Sequence, residues 1–255
     1  MPYAMSLAGL DPSGGAGLLA DIKTFEAWHL RGLGVCTALT VQTDSEFLGV
    51  EWISADNIIA QALPLVQQYP VDYCKIGIVS HPETIAEVIA ALRAVRPGIA
   101  FVLDPVLRAS AGYVFHNAIH AHWASVLPSL TLLTPNYDEA VAMSGLPDGE
   151  TGAKAMAQHC AVLLKGGHRP LKPGVDTLFH QDSATDFAPV ASNAFPKHGS
   201  GCVLSAAITA ALASGLPLEA ACSAGKDYTY RYLVSSPELV GWHAPERKHI
   251  RQIPD

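Results

Sequence analysis

Short apolar runs alternate with segments of helical period from the start of this chain to about Lys165, and that alternation restricts the fold more than any other feature. The runs are Tyr3 to Leu10, Gly34 to Val41, Asp72 to Val79, Ile99 to Leu103, Leu130 to Thr134 and Ala161 to Lys165. Between them apolar residues recur at three-to-four spacing, as in Leu18, Leu19, Ile22 and Phe25, or Ile85, Val88, Ile89 and Leu92. Strands alternating with helices in this way predict an α/β fold, a mostly parallel central sheet with helices on both faces. Beyond Lys165 the pattern changes. Val175 to His180 and Phe187 to Phe195 read as antiparallel strands joined by a polar turn. Two helices then follow: an Ala-rich one over Ser200 to Ser214, apolar nearly all round and therefore expected to be buried, and a second over Leu218 to Leu233. With 255 residues, 49% of them hydrophobic, and no repeat, low-complexity tract or linker, residues 1–255 are expected to form a single domain.

The formal charge of −7 and the lack of any Lys/Arg run argue against a nucleic-acid or anionic-lipid surface and favour a small-molecule substrate. No signal peptide or membrane span is legible, so a cytoplasmic location is expected. Cys36, Cys74, Cys160, Cys202 and Cys222 are odd in number and contain no C-x-x-C pair, which disfavours a disulfide framework or zinc site. Four are expected to be core thiols, and Cys202 is singled out by its position.

In parallel sheets ligands bind beyond the carboxyl ends of the strands, so the loops there carry the chemistry. The first is Gly9-Leu10-Asp11-Pro12-Ser13-Gly14-Gly15-Ala16-Gly17, whose glycines permit close approach to a ligand. Gly15, Gly17 and Ala20 also fit G-x-G-x-x-A, with Asp44 after the second strand, which is the pattern of an NAD-dependent oxidoreductase. Against that reading, Asp11 stands where a pyrophosphate would approach. The second loop, Gly199-Ser200-Gly201-Cys202, opens the Ala-rich helix. Its unpaired N–H groups and the helix dipole make an anion site suited to a transferring phosphoryl group. Cys202, in the first helical turn, is expected to have its pKa lowered from roughly 8.5 and to act as a base, the alternative being a small apolar residue in a close-packed helix. Further groups follow other strands: Asp104-Pro105, Asn136-x-x-Glu139 and Lys165-Gly166-Gly167-His168. Asp104 and Glu139 suffice for a Mg²⁺ carried by nucleotide phosphates, although Asn136 to Glu139 also reads as an ordinary capped helix start. Lys165, ending an apolar strand, needs solvent or an anion, and a phosphate is the natural partner. His116, His120 and His122 are not read as a metal site, because no third ligand type or catalytic Glu stands nearby.

Taken in order, Ala8 to Gly17, Asp21-Ile22-Lys23-Thr24-Phe25, Asp104-Pro105-Val106, Thr134-Pro135-Asn136, Lys165 to His168 and His198-Gly199-Ser200-Gly201-Cys202 resemble the hydroxymethylpyrimidine/phosphomethylpyrimidine kinases of thiamine biosynthesis, from about Ala8 to Ala213. The resemblance implies a ribokinase-like three-layer α/β/α sandwich, ATP and Mg²⁺ as cofactors, a pyrimidine alcohol as acceptor and a homodimer. It places Gly9, Asp11 and Asp21 at the substrate pocket with Thr40 and Ile78, and Gln42 on the aminopyrimidine edge, where an amide offers both donor and acceptor. It puts Asn136, Lys165, Gly199 and Gly201 at the nucleotide, and Cys202 where most ribokinase-like enzymes carry an aspartate base. A related alternative is a pyridoxal kinase, whose substrate also bears a hydroxymethyl group; another is a pyrimidine-binding protein that has lost transfer. The chain departs from the family where Arg108-Ala109-Ser110-Ala111-Gly112 replaces a Lys-Ser-Gly element, where the segment between Glu139 and Lys165 is short, and where no Gly-x-Gly-Pro follows Val240.

Overall fold

The computed structural model describes residues 1–108, 113, 115, 120–189 and 194–245. In chain order the elements are β1 (Tyr3–Leu10), α1 (Gly17–Ala27), β2 (Arg31–Gln42), β3 (Phe47–Trp52), α2 (Ala55–Gln68), β4 (Val71–Ile76), α3 (Pro82–Val95), β5 (Ala100–Leu103), α4 (His120–Ala124), β6 (Leu132–Leu133), α5 (Tyr137–Ser144), α6 (Gly149–Met156), β7 (Ala161–Leu164), β8 (Asp176–His180), β9 (Ser183–Phe187), α7 (Ser200–Ala213) and α8 (Leu218–Leu233). All nine strands form one sheet in the order β3-β2-β1-β4-β5-β6-β7-β8-β9. Parallel pairing runs from β2 through β1, β4, β5 and β6 to β7, while β3, β8 and β9 pair antiparallel at the edges.

Side-chain alternation along the strands divides the core in two. Met5, Leu7, Phe101, Leu103, Leu133, Val162 and Leu164 face a cluster that includes Ile58, Ile89, Trp123, Met143 and Met156 from α2 to α6. Ala4, Val102, Leu132, Ala161 and Leu163 face the opposite cluster, built with Phe25, Ile208 and Tyr228 from α1, α7 and α8. Helices therefore cover both faces, as expected. The second cluster is built around α7, in which every residue from Val203 to Leu212 is buried. Small Ala and Ser side chains let this helix approach β1 and β4 closely enough to bring its first turn to the carboxyl ends of the strands.

Several sequence expectations shift. The hairpin return is not Phe187 to Phe195 but β9, Ser183–Phe187. Gln181 and Asp182 both take positive φ (50° and 63°), so a two-residue turn starts the return strand at once, pairing Phe179 with Ala184. Residues 190–193, in the middle of the expected strand, lie outside the described residues, and Ala194 and Phe195 are not in a strand. β3 and α2 are additions that the apolar pattern does not single out. In α1 the buried positions are Ala20, Asp21, Thr24, Phe25 and Ala27, while Leu19 is 37% exposed. The helix turns a small and polar face to the interior because a buried ion pair, described below, lies there. Of the four thiols expected in the core, Cys74 and Cys222 are buried, but Cys36 and Cys160 are only partly so; all five are free.

Candidate active site

The carboxyl ends of β1, β2, β4, β5, β6 and β7 and the first turn of α7 surround one cavity of about 890 Å³. Of the residues singled out from the sequence, Gly9, Asp11, Thr40, Gln42, Ile78, Asp104, Asn136, Glu139, Lys165, Gly199, Ser200, Gly201 and Cys202 all line it. Asp21 does not. It is wholly buried, with both carboxylate oxygens on Lys75 Nζ at 2.6 and 2.7 Å and with Ser6 Oγ donating to Oδ2 at 2.5 Å. Its expected place at the substrate is thus corrected to that of a counter-ion behind the cavity wall.

The anion loop depends on Gly199. It caps α7 in the left-handed conformation (φ 74°), and a Cβ there would run into the carbonyl oxygen of Gly15 and lie 2.7 Å from Ala16 Cα. The close approach locks the second loop onto the first. Ser200, Gly201 and Cys202 then begin the helix, with N–H groups that have no partner within it. The thiol of Cys202 departs from expectation. Burial pushes it up to about 11, outweighing Lys75, which acts in the other direction, while Asp104 and Asp21 push it further up. The resting side chain is therefore a neutral thiol, not the thiolate that a helix N-terminus alone would favour.

Asp11 organises the first loop. Its Oδ1 accepts from Ser13 N at 2.9 Å, its Oδ2 accepts from Ala16 N at 2.8 Å, and His198 Nε2 lies 2.9 Å from the same Oδ2. The carboxylate is 1% exposed and faces the protein's own donors, so although it lines the cavity it pins the two loops together. It also occupies the start of α1, where the oxidoreductase pattern would need a pyrophosphate; Asp44, the acid of that pattern, sits half-buried in the β2–β3 turn. Burial raises the Asp11 pKa, but His198, Ser13 and Ala16 together hold it below the usual carboxylate value. The stability it contributes is present above the unfolded pKa of about 3.9 and is lost as pH falls through the lower folded value. Asp11→Ala should therefore lower Tm at pH 7 by roughly 3–6 °C, as about 1.5 kcal/mol of charge-assisted bonding implies. The gap from wild type should narrow in melts taken below about pH 4; a gap that stays constant to pH 3 would remove Asp11 from this role.

On the other side Lys165 lies between two acids, with Nζ 2.7 Å from Asp104 Oδ1 and 3.6 Å from Glu139 Oε2. Burial works against the charge on Lys165, yet Asp104 and Glu139 raise its pKa well above the usual lysine value. Asp104 is held below the carboxylate range despite its burial by Lys165 and Lys75, whereas burial raises Glu139. Glu139 also closes a capping box. Its Oε2 accepts from Asn136 N at 2.7 Å while Asn136 Oδ1 accepts from Glu139 N at 2.9 Å, so the ordinary helix-start reading holds as well. Among the described residues no group of three or more His, Cys, Asp or Glu is placed to hold a metal by itself. Two clustered carboxylates beside the open N-terminus of α7 do fit a Mg²⁺ that arrives on nucleotide phosphates and needs only one or two acids, directly or through water. His116 lies outside the described residues, and His122 pairs with Glu83 at 2.7 Å on the surface.

At the end of the cavity beside β1 and β2, Gly9 leaves room for Ile78, whose Cδ1 would lie 2.5 Å from a Cβ at Gly9. Gln42 Nε2 donates to Thr40 Oγ1 at 2.8 Å, and Thr40 Oγ1 donates to Leu10 O at 2.7 Å. This chain fixes the Gln42 amide and, among the described residues, leaves its Oε1 without a hydrogen-bond partner. Phe115 closes the wall, with ring centroids 5.2 Å from Phe47 and 5.5 Å from Tyr113. Arg108 lines the cavity and is exposed, but Ala109 to Gly112 lie outside the described residues.

Lys75, His198 and Lys226 also line the cavity without having been assigned a role from the sequence. Lys226 Nζ donates to Gly174 O and Asp176 Oδ2, each at 2.8 Å. Lys75 left a signal in the chain, a lysine inside the apolar run Asp72 to Val79, where burial without a counter-charge is rare.

Among sequence families, a model described as phosphomethylpyrimidine kinase matches residues 11–247. A hydroxymethylpyrimidine/phosphomethylpyrimidine kinase of Rhizobium meliloti is 38% identical over 247 residues, covering 92% of each chain. Among solved structures, a phosphomethylpyrimidine kinase of Clostridium difficile is 31% identical with a TM-score of 0.72, covering 89% of this chain and 98% of its own. An ADP complex of Bacillus subtilis pyridoxal kinase is 28% identical with a TM-score of 0.76, covering 89% of this chain and 90% of its own.

Proposed function

The chain belongs to the phosphomethylpyrimidine kinase family, and on that premise we propose that it transfers the γ-phosphoryl group of ATP to the hydroxymethyl group of 4-amino-5-hydroxymethyl-2-methylpyrimidine, with the monophosphate as second acceptor. The ribokinase-like three-layer fold and the kinase reaction on the pyrimidine in thiamine biosynthesis accord with its relatives. The observation that carries the reading is a single cavity that joins a fixed amide, Gln42, to an anion loop, Gly199 to Cys202, beside Lys165. The amide pairs with the amino group and a ring nitrogen of the pyrimidine, which puts the hydroxymethyl group towards the loop. The loop's N–H groups and Lys165 stabilise charge on the phosphoryl group in flight. Bound at Asp104 and Glu139, Mg²⁺ would neutralise charge on the nucleotide phosphates. Phosphoryl transfer depends mainly on positioning and charge, so Cys202, once its thiol has lost its own proton to solvent, need only take up the hydroxyl proton late in the reaction.

The test is ATP consumption with Mg²⁺ and three acceptors side by side: the pyrimidine alcohol, its monophosphate and pyridoxal. The alcohol should turn over fastest. Faster pyridoxal turnover would reassign the acceptor towards the activity named for the Bacillus subtilis relative. Gln42→Ala should raise the KM for the pyrimidine by about tenfold with kcat little changed, because a paired hydrogen bond to the ring edge is lost.

We also propose that residues 1–255 act as one domain, in the cytoplasm and as a homodimer. A sheet continuous from β1 to β9 supports the first, and Leu39, Val41 and Leu48, exposed by 42, 60 and 70% on β2 and β3, offer an apolar face for the last. Among the described residues no helix is long and apolar enough to cross a membrane. Light scattering giving a monomer mass would remove the dimer.

A further inference from the structure

The buried pair Lys75–Asp21 has no role in the site as so far described, although it lies at its floor. Lys75 is at the end of β4, is 0% exposed as a residue, and lines the cavity with its ammonium held by both oxygens of Asp21. Gly77, two residues on, also lines the cavity beside it, where a Cβ would lie 3.7 Å from Nζ, in ordinary contact. Burying two ions costs several kcal/mol per ion before any mutual attraction, and a hydrophobic pair of the same volume usually does as well. Such a pair at a cavity floor is therefore weakly explained by stability. Three facts point to the reaction instead. The lysine faces the cavity and the carboxylate does not. α7, which carries Cys202, packs directly on β4. Lys75 is also the main charge opposing the burial of the Cys202 sulfur, and Cys202 in turn is among the groups that keep Lys75 charged against its own burial.

Resting on the kinase reading and on the part given to Cys202, we propose that Lys75 is a positioning residue for transfer: its ammonium, clamped by Asp21, supplies the positive charge that lets Cys202 accept the proton of the acceptor hydroxyl. Before transfer the Cys202 S–H bond releases its proton to solvent, leaving a thiolate beside Lys75. During transfer the acceptor O–H bond breaks, its proton passes to sulfur, the acceptor oxygen bonds to the γ-phosphorus, and the bond to the β-phosphate oxygen breaks to give ADP. The net reaction releases one proton, and Lys75 remains protonated throughout. Asp21 keeps the ammonium from swinging up to the phosphates, where it would duplicate Lys165.

The experiment is the pH dependence of Cys202 alkylation by iodoacetamide in the full-length protein, read by peptide mass so that Cys36 and Cys160 are distinguished. It is run on wild type and on the Asp21→Asn/Lys75→Met double variant, which removes both charges together. The apparent pKa for alkylation of Cys202 should rise in the variant by about half a unit, roughly threefold slower alkylation at fixed pH, because Asp21, which acts the other way and more weakly, is lost together with Lys75. The acid limb of kcat against pH should move the same way, with the KM for the pyrimidine little changed. If that variant fails to fold, Asp21→Leu/Lys75→Met, an apolar pair of similar volume, takes its place. An unchanged alkylation profile in a folded variant overturns the proposal while leaving the kinase assignment untouched. A wild type that fails to phosphorylate the pyrimidine overturns the functional reading, and the alkylation profiles still decide whether Lys75 controls Cys202.

Discussion

Lys165→Met should reduce kcat for pyrimidine phosphorylation by on the order of 10²–10³-fold, the loss seen when one preorganised donor is taken from a developing oxyanion. Lys165 is the cation nearest both acids, 2.7 Å from Asp104 and 3.6 Å from Glu139. Its removal leaves Asp104, which is 0% exposed, charged with only Lys75 to oppose it. Breaking a buried pair from one side costs about 3–5 kcal/mol, so the variant should also melt earlier. The two effects separate in a direct way. Steady-state kcat measured well below the melting temperature reports the transfer step, and calorimetry reports the stability. A variant that is destabilised but turns over at the wild-type rate would show that Lys165 serves the fold alone.

Gly199→Ala should be nearly as damaging to turnover, by on the order of 10²-fold, with a smaller effect on stability. A non-glycine residue at φ 74° costs about 1–2 kcal/mol, and its Cβ would collide with the Gly15 carbonyl and crowd Ala16. The loop must move, and a displacement of about 1 Å in a phosphoryl site is enough for a loss of this size. The body of α7 should stay folded because Val203 to Leu212 remain buried. Gly49→Ala is the control, since a Cβ there meets nothing within 4 Å. Equal turnover in the two variants, measured at saturating ATP and pyrimidine, would show that the locked loop is not required.

Much of this architecture was legible because it depends on local pattern. The short apolar runs and the three-to-four spacing named β1, β5, β7, α7 and α8 nearly to the residue, and picked out the apolar face of α3 without its bounds. Glycines in the first loop and at the start of α7, and single polar residues just past β5, β6 and β7, marked a site at the carboxyl edge of the sheet. β9 was misplaced because its signal is a two-residue turn with positive φ in Gln181 and Asp182, not an apolar run. α1 was read on its leucines, while its interior face carries Asp21 and Thr24.

By itself, then, the sequence determined the fold class, the carboxyl edge of the sheet as the place of the site, and thirteen of the residues that line the cavity, though not Lys75, His198 or Lys226. The fold class and the residues at the strand ends follow from periodicity and from residue types that are costly to place anywhere else, whereas the substrate places of Gly9, Thr40, Gln42 and Ile78 came from the family resemblance alone. Only the tertiary structure decided how those side chains divide the work. Asp21 proved to be a counter-ion because Lys75, 54 positions away in the chain, is folded against it, and Asp11 a pin because His198 arrives from the start of α7. Burial in the surrounding core pushes the Cys202 thiol up, against the opposing charge of Lys75. Charge interactions of this kind depend on distance and burial between residues far apart in the chain, and neither quantity exists until the layers have packed.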